Sequence, residues 1–220
     1  GPHEMDDREG WFAMPKAAAP KPSATASRTR NGAQTRERLL GAALAEFKRA
    51  GMAAADTTAI VSAAGVAHGT FFFHFPTKEH VLLELEKREE DRIAGELNRF
   101  FAGAHSVRDT LAETVRVLVK LERRLGRRLF KDFLALHFST TRPPSEEWTF
   151  HPVIAAVIEE LQRARERGEI PAEVDVMHNG VSFLAGLYAL LITVPAAEDI
   201  RGPVMDEYVT TYMYGLRAVG

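Results

Sequence analysis

Ile60-Val61-Ser62-Ala63-Ala64-Gly65-Val66-Ala67-His68-Gly69-Thr70-Phe71-Phe72-Phe73-His74-Phe75-Pro76-Thr77-Lys78-Glu79 is the stretch that decides the fold. Asp56 or Thr57 can cap a short helix carrying Ile60, Val61 and Ala64, and Gly65 closes it. A further short helix, roughly His68–His74, follows at once, and Pro76 forbids its continuation. Four Phe in five positions (Phe71, Phe72, Phe73, Phe75) would ring so short a helix with aromatics. They cannot all be buried, so some must face outward. Two short helices about the tight turn Ala64-Gly65-Val66 match a helix-turn-helix, whose second helix lies in a DNA major groove.

Outward from this unit the pattern stays helical. Leu39, Leu40, Ala43, Leu44 and Phe47 recur at three- and four-residue steps, predicting an amphipathic helix from Thr35 to about Gly51. A long helix runs from Thr77-Lys78-Glu79 to about Phe101, with Val81, Leu82, Leu85 and Ile93 on its apolar side. Further helices are expected over Val107–Leu125, Arg127–Ser139, Thr149–Arg167, Val174–Val194 and Gly202–Ala218. No stretch alternates in the two-residue period of a strand, so the fold class is all-α.

Composition limits the chemistry. The 220 residues are 45% hydrophobic and 26% charged, as in a globular chain with a sizeable core. There is no Cys, which removes disulfides, Cys-ligated zinc, iron–sulfur clusters and thiol catalysis together. No secretory signal is visible and Val181–Pro195 falls short of a bilayer span, so a cytoplasmic protein is expected. The formal net charge of -2 is unevenly spread. Residues 28–80 carry Arg28, Arg30, Arg36, Arg38, Lys48, Arg49 and Lys78 against Glu37, Glu46, Asp56 and Glu79, and the rest of the chain is acidic. A basic first quarter leaves nucleic acid open as a partner.

The quoted segment, extended over Thr35 to Leu82, closely resembles the DNA-binding signature of the TetR family of bacterial transcriptional regulators. Glycines, Thr, aromatics and Lys all fall in register. The resemblance implies an N-terminal three-helix DNA-binding domain and a C-terminal helical domain for ligand binding and dimerisation. It implies DNA contacts from Thr57, Ala67, His68, Thr70, Phe72, Phe73, His74 and Lys78, with Phe71 and Phe75 turned inward. Two departures stand out. Phe72 replaces the usual Tyr and loses a hydroxyl contact to phosphate. Asp56 replaces the usual Thr; it still caps a helix, but it adds a negative charge near the phosphate track. The recognition helix itself has no Lys or Arg, so affinity should lean on Arg36, Arg38 and Lys78, with Arg28 and Arg30 reaching a groove from an arm.

Three regions follow. Residues 1–33 read as a flexible arm that starts with a tag remnant, Gly1-Pro2-His3-Glu4-Met5, and has Trp11 and Phe12 as possible anchors. Residues 34–80 form the helix-turn-helix domain. Residues 81–220 form the ligand-binding and dimerisation domain. The density of Phe, Trp and Leu between Phe100 and Phe150 points to a largely apolar inducer, with Phe133, His137, Trp148 and His151 as its candidate contacts. Arg123, Arg124, Arg127, Arg128 and Lys131 form a basic stripe, either a solvated face, an anion-recognition patch or an approach to DNA. The last two helices carry Val181, Leu184, Leu187 and Leu191, then Val209, Tyr212, Met213 and Leu216. They are expected to pair with a second copy as a four-helix bundle, with Gly180, Ala185 and Gly186 allowing close approach.

The expected protein is thus a homodimeric regulator of a palindromic operator in double-stranded DNA, a repressor released by a small apolar inducer, with no membrane contact. No catalytic residue, cofactor or metal is expected. The alternative is an all-helical lipid-binding module or enzyme without DNA contact. Its acid, base and nucleophile candidates (His137, His151, Glu146, Glu147, Ser139) follow no recognised spacing.

Overall fold

The computed structural model describes residues 26–143 and 151–219. Among them all regular structure is helical: α1 (Ala26–Ala50), α2 (Thr57–Ala64), α3 (His68–His74), α4 (Lys78–Phe101), α5 (Val107–His137), α6 (Pro152–Glu166), α7 (Val176–Thr193) and α8 (Glu198–Leu216). The arm up to residue 25, with Trp11 and Phe12, lies outside the described residues, as does Trp148. Residues 26–33, read above as the end of the arm, are helical, so Arg28 and Arg30 sit on α1.

Local chemistry sets the helix ends. Asp56 caps α2, its carboxylate accepting the Thr58 N–H at 2.9 Å. Gly65 ends α2 at φ 68°, a left-handed conformation that a side chain would resist. Ser106 and Asp109 form a reciprocal capping box at the start of α5. Gly126 interrupts α5 at φ 72°, ψ 162°, a region open in practice to glycine alone. Nothing crowds a side chain there, so backbone conformation rather than space requires this glycine. The helix is therefore two segments, 107–125 and 127–137, meeting at a bend.

One continuous core runs through both domains. In the N-terminal unit Leu39, Leu40, Phe47, Ile60, Phe71 and Phe75 are buried. In the C-terminal unit α4 packs on α5 and α6, α6 on α7, and α5 on α8. A buried ion pair, Arg201 with Glu122, joins α8 to α5, and Arg201 also donates to the carbonyls of Leu191 and Val194 at 3.2 Å.

The role expected for the leucines of α7 and α8 is corrected here. Leu184, Leu187, Leu191, Val209, Met213 and Leu216 are all buried inside the single chain. Gly180 and Gly186 likewise serve internal packing, since a Cβ would meet Ile158 at 2.9 Å in one case and collide with the Tyr208 hydroxyl in the other. Of the residues expected at the interface on α7, Val181 and Ala185 do face outward, joined by Ala189 at four-residue steps. This helix is long and apolar enough by composition to cross a membrane (mean hydropathy 1.4), yet only 39% of it is buried within the chain.

Candidate functional site

The recognition helix is sorted by burial. Phe71 and Phe75 are fully buried, their rings 5.9 Å apart, and hold α3 on the domain. Phe72 is 48% exposed and Phe73 83% exposed. Ala67 and His68 at the start of α3 are exposed, while Thr70, His74 and Thr57 are partly buried. Phe72 takes the His68 ring edge-on at 6.3 Å, and Phe73 takes His74 at 5.1 Å. Burial, with Arg36 nearby, lowers the pKa of His74, which favours its neutral form. The outward surface of α3 is thus aromatic and largely uncharged, suited to apolar contact with base edges.

Lys78 is placed differently from its fellow candidates. Its ammonium donates to the carbonyls of Met52 at 3.1 Å, Ala53 at 3.4 Å and Ala55 at 2.7 Å. It closes the turn between α1 and α2. Arg36 is also engaged, lying over the Phe75 ring at 4.6 Å and reaching Glu84 at 3.4 Å.

A second constellation lies in the C-terminal domain. Glu86 and Glu90 are one turn apart on α4 and both buried. Glu86 meets His137 Nδ1 at 3.1 Å and Arg142 Nη2 at 3.1 Å. Glu90 accepts the Val153 N–H at 3.0 Å, at the start of α6. Burial pushes the Glu90 carboxyl up to about 6; Glu86 and Asp91 add to the rise, while the Val153 N–H and His137 oppose it. The His137 ring lies 6.1 Å from His151 and 5.2 Å from Tyr188. Burial, then Glu90 and Glu86, raises the Tyr188 hydroxyl well above its ordinary range, so it stays a donor. For His151 burial acts the other way, lowering its pKa with help from His137 and Arg142. Phe133 is buried one turn before His137, stacked on Phe130 at 6.5 Å. The structure therefore brings His137 and His151 together, with Phe133 on the same helix.

The two sites are joined by the second segment of α5. Asp132 accepts the Met52 N–H at 2.7 Å, and Arg128 donates to the Arg49 carbonyl at the end of α1. His137 ends the same segment inside the polar cluster. The basic stripe is divided: Arg124 pairs with Glu89 at 2.7 Å, whereas Arg123, Arg127, Arg128 and Lys131 are exposed.

Sequence reasoning missed Glu86, Glu90, Tyr188 and Asp132. The glutamates did leave a signal, for Leu82, Glu86, Glu90, Ile93 and Leu97 share one helical face, and acids on an apolar stripe imply buried partners. Tyr188 and Asp132 left none, since nothing local marks an interior phenol or a carboxylate aimed at a distant turn. Among the described residues no cluster of His, Asp or Glu could hold a metal ion.

Two short helices about a tight turn, the second with exposed aromatics, beside a helical domain with a buried polar centre, have the form of a helix-turn-helix unit joined to a helical domain. Residues 39–85 match the sequence profile of the bacterial regulatory proteins of the tetR family. A search of curated protein sequences finds no match. Solved structures share the fold. Thermus thermophilus FadR, a TetR-family transcriptional repressor in complex with lauroyl-CoA, superposes with a TM-score of 0.64 at 22% identity, over 84% of this chain and 96% of its own. Bacillus subtilis FadR in complex with stearoyl-CoA gives 0.64 at 16% identity, over 81% and 98%. RolR in complex with resorcinol gives 0.62 at 19% identity, over 84% and 90%. At these identities the likeness is one of fold.

Proposed function

We propose that the protein is a homodimeric repressor that reads a palindromic operator through α3 and releases it when a small, largely apolar compound enters the C-terminal domain. The observation that carries the DNA half is the split between Phe71 and the capping Phe75, both fully buried, and Phe72 and Phe73, both exposed, within α3 and its C-cap. Folding stability gives no reason to leave Phe73 in water.

The ligand half is supported by the cluster around His137. Glu86, Glu90, Arg142 and His151 there lie beside the rings of Phe138 and Tyr188, which offers an apolar compound aromatic surface together with groups that can hydrogen-bond it. His137 and His151 are the fixing groups, with Phe133 and Trp148 as apolar contacts. A ligand that parts His137 from Glu86 displaces the helical segment that also holds Met52 through Asp132. The turn before α2 then shifts, and α3 moves with it. The solved structures with acyl-CoA and resorcinol, whose ligands carry an acyl chain or an aromatic ring beside polar groups, support a ligand with an apolar part.

Dimerisation is supported by the Val181, Ala185 and Ala189 face of α7, an apolar surface that a second copy would cover. The test is selection of bound fragments from a random duplex library. Enrichment of a palindrome, followed by its release with a fatty acyl-CoA or a dihydroxybenzene, is the expected result. Recovery of no sequence preference overturns the reading.

A further inference from the structure

We infer that α3 selects its operator through the C5-methyl groups of thymine, with Phe72 and Phe73 as the residues that set the specificity. The inference rests on the DNA-binding reading above and adds which chemistry on the duplex is recognised. In the major groove a base pair shows hydrogen-bond donors, acceptors and, at thymine alone among the four bases, a methyl group. Paired hydrogen bonds to guanine take Arg or Lys, those to adenine take Asn or Gln, and acceptance from cytosine takes Asp or Glu. None of these residue types occurs from Thr57 to Phe75, which is α2, the turn and α3 with its cap. The cations that flank the stretch are engaged. Lys78 donates to the carbonyls of Met52, Ala53 and Ala55, and Arg36, which lies over Phe75, reaches Glu84. Thr58 and Ser62 on α2 and Thr70 on α3 offer hydroxyls. A hydroxyl both donates and accepts, so it distinguishes no base by itself.

What α3 presents is one aromatic face. His68, Gly69, Phe72 and Phe73 are all exposed, and at these spacings they are neighbours on one side of the helix. The Phe72 ring meets His68 edge-on at 6.3 Å, and the Phe73 ring meets His74 at 5.1 Å. Gly69 leaves the fourth corner open, for a Cβ there would have nothing within 4 Å. The side chains of His68, Phe72 and Phe73 thus border a bare patch of helix. A phenyl ring makes no hydrogen bond to a base edge, so it gains only where it covers apolar surface. In the major groove that surface is the thymine methyl. His68 is the one side chain on this face able to hydrogen-bond a base, and it adds a single polar position to a site otherwise read by methyls. His74, beside Phe73, is partly buried and shifted toward its neutral form, so it brings no charge to the face.

The experiment starts from the duplexes that the protein enriches out of a random 30-base-pair library. Each is remade with uracil in place of thymine, one position at a time, and binding is read by fluorescence anisotropy. Uracil keeps the base pairing, the O4 acceptor and the phosphate charge, and lacks only the methyl. At the positions under α3, each methyl removed should weaken wild-type binding about four-fold, the worth of one buried methyl. Phe72→Ala and Phe73→Ala should melt as the wild type does, since both rings are exposed. Each should bind the thymine duplex more weakly and lose most of the preference for thymine over uracil at the positions its ring covers. Wild-type affinity that is indifferent to uracil at every position overturns the inference alone. A uracil penalty undiminished in both variants also overturns it, by assigning the effect to the shape of the DNA instead of to these rings. A library that yields no enriched sequence removes the DNA-binding reading and this inference with it.

Discussion

The carboxylate of Asp132 accepts the backbone N–H of Met52 at 2.7 Å, across eighty positions of sequence. Met52 lies in the turn after α1, and Lys78 grips the same turn through its carbonyls. The turn is thus held from α5 on one side and α4 on the other, a few residues before the cap of α2. Replacing Asp132 by Ala leaves a partly buried donor unmet, an expected loss of about 1 kcal/mol. Amide exchange should rise over residues 52–57 and operator affinity should fall several-fold, with Asp132→Asn restoring both. Unchanged exchange in that segment would show that Asp132 does not hold the turn.

Lys78→Met keeps the stem and removes the ammonium. If the lysine works as a clamp on the turn, urea unfolding should show a loss of about 1–2 kcal/mol. The salt dependence of binding to an arbitrary duplex should not change. A slope reduced by about one unit with stability intact would instead make Lys78 a direct phosphate contact.

Phe73→Ala and Phe71→Ala separate reading from folding. Phe73, at 83% exposure, should melt as the wild type does while operator binding weakens by about 1–3 kcal/mol per half-site. Phe71, fully buried, should lose about 3–5 kcal/mol of stability. Equal melting temperatures for the two variants would contradict the orientation of α3.

Much of this architecture was legible in the chain. Gly65, Pro76 and Gly126 are breakers with local causes, so α2, α3 and the two segments of α5 could be bounded by residue type alone. The inward turn of Phe71 and Phe75 followed from the family register. The start of α1 was not legible, because Ser27–Ala33 has no apolar period to mark a helix. The dimer face was misread for a different reason. Leu184, Leu187 and Leu191 are apolar whether they meet α6 and α8 or a second copy, and periodicity cannot distinguish a partner within the chain from one outside it. The cluster of Glu86, Glu90, His137 and Tyr188 draws on three helices, and only tertiary structure joins them.

The dimer proposal gives a contrast between neighbours on α7. Ala185→Glu places a charge on the outward face, and the variant should sediment as a folded monomer. Leu187→Glu places one in the core, where it should unfold the protein rather than dissociate it. A dimeric Ala185→Glu with wild-type mass at micromolar concentration would rule out this face as the interface.

Glu90 sets a pH dependence whose sign is opposite to that of a salt-bridged carboxylate. Its carboxyl is raised from 4.5 to about 6 in the folded chain, with burial as the largest cause. Between these values the folded state keeps a proton that the unfolded chain has already released, so stability falls as pH rises. The contribution is fully present below pH 4.5 and is lost through about pH 6, leaving a penalty of about 2 kcal/mol at neutral pH. Glu90→Gln removes the ionisation while its amide oxygen can still accept the Val153 N–H. Relative to wild type, the variant should gain nothing at pH 4.5 and close to the full amount at pH 7.5, read as denaturation midpoints across that range. A gain that is constant with pH would mean that Glu90 is not titrating in the fold. A loss at neutral pH would mean that its charge is needed there, with His137 as the partner to examine next.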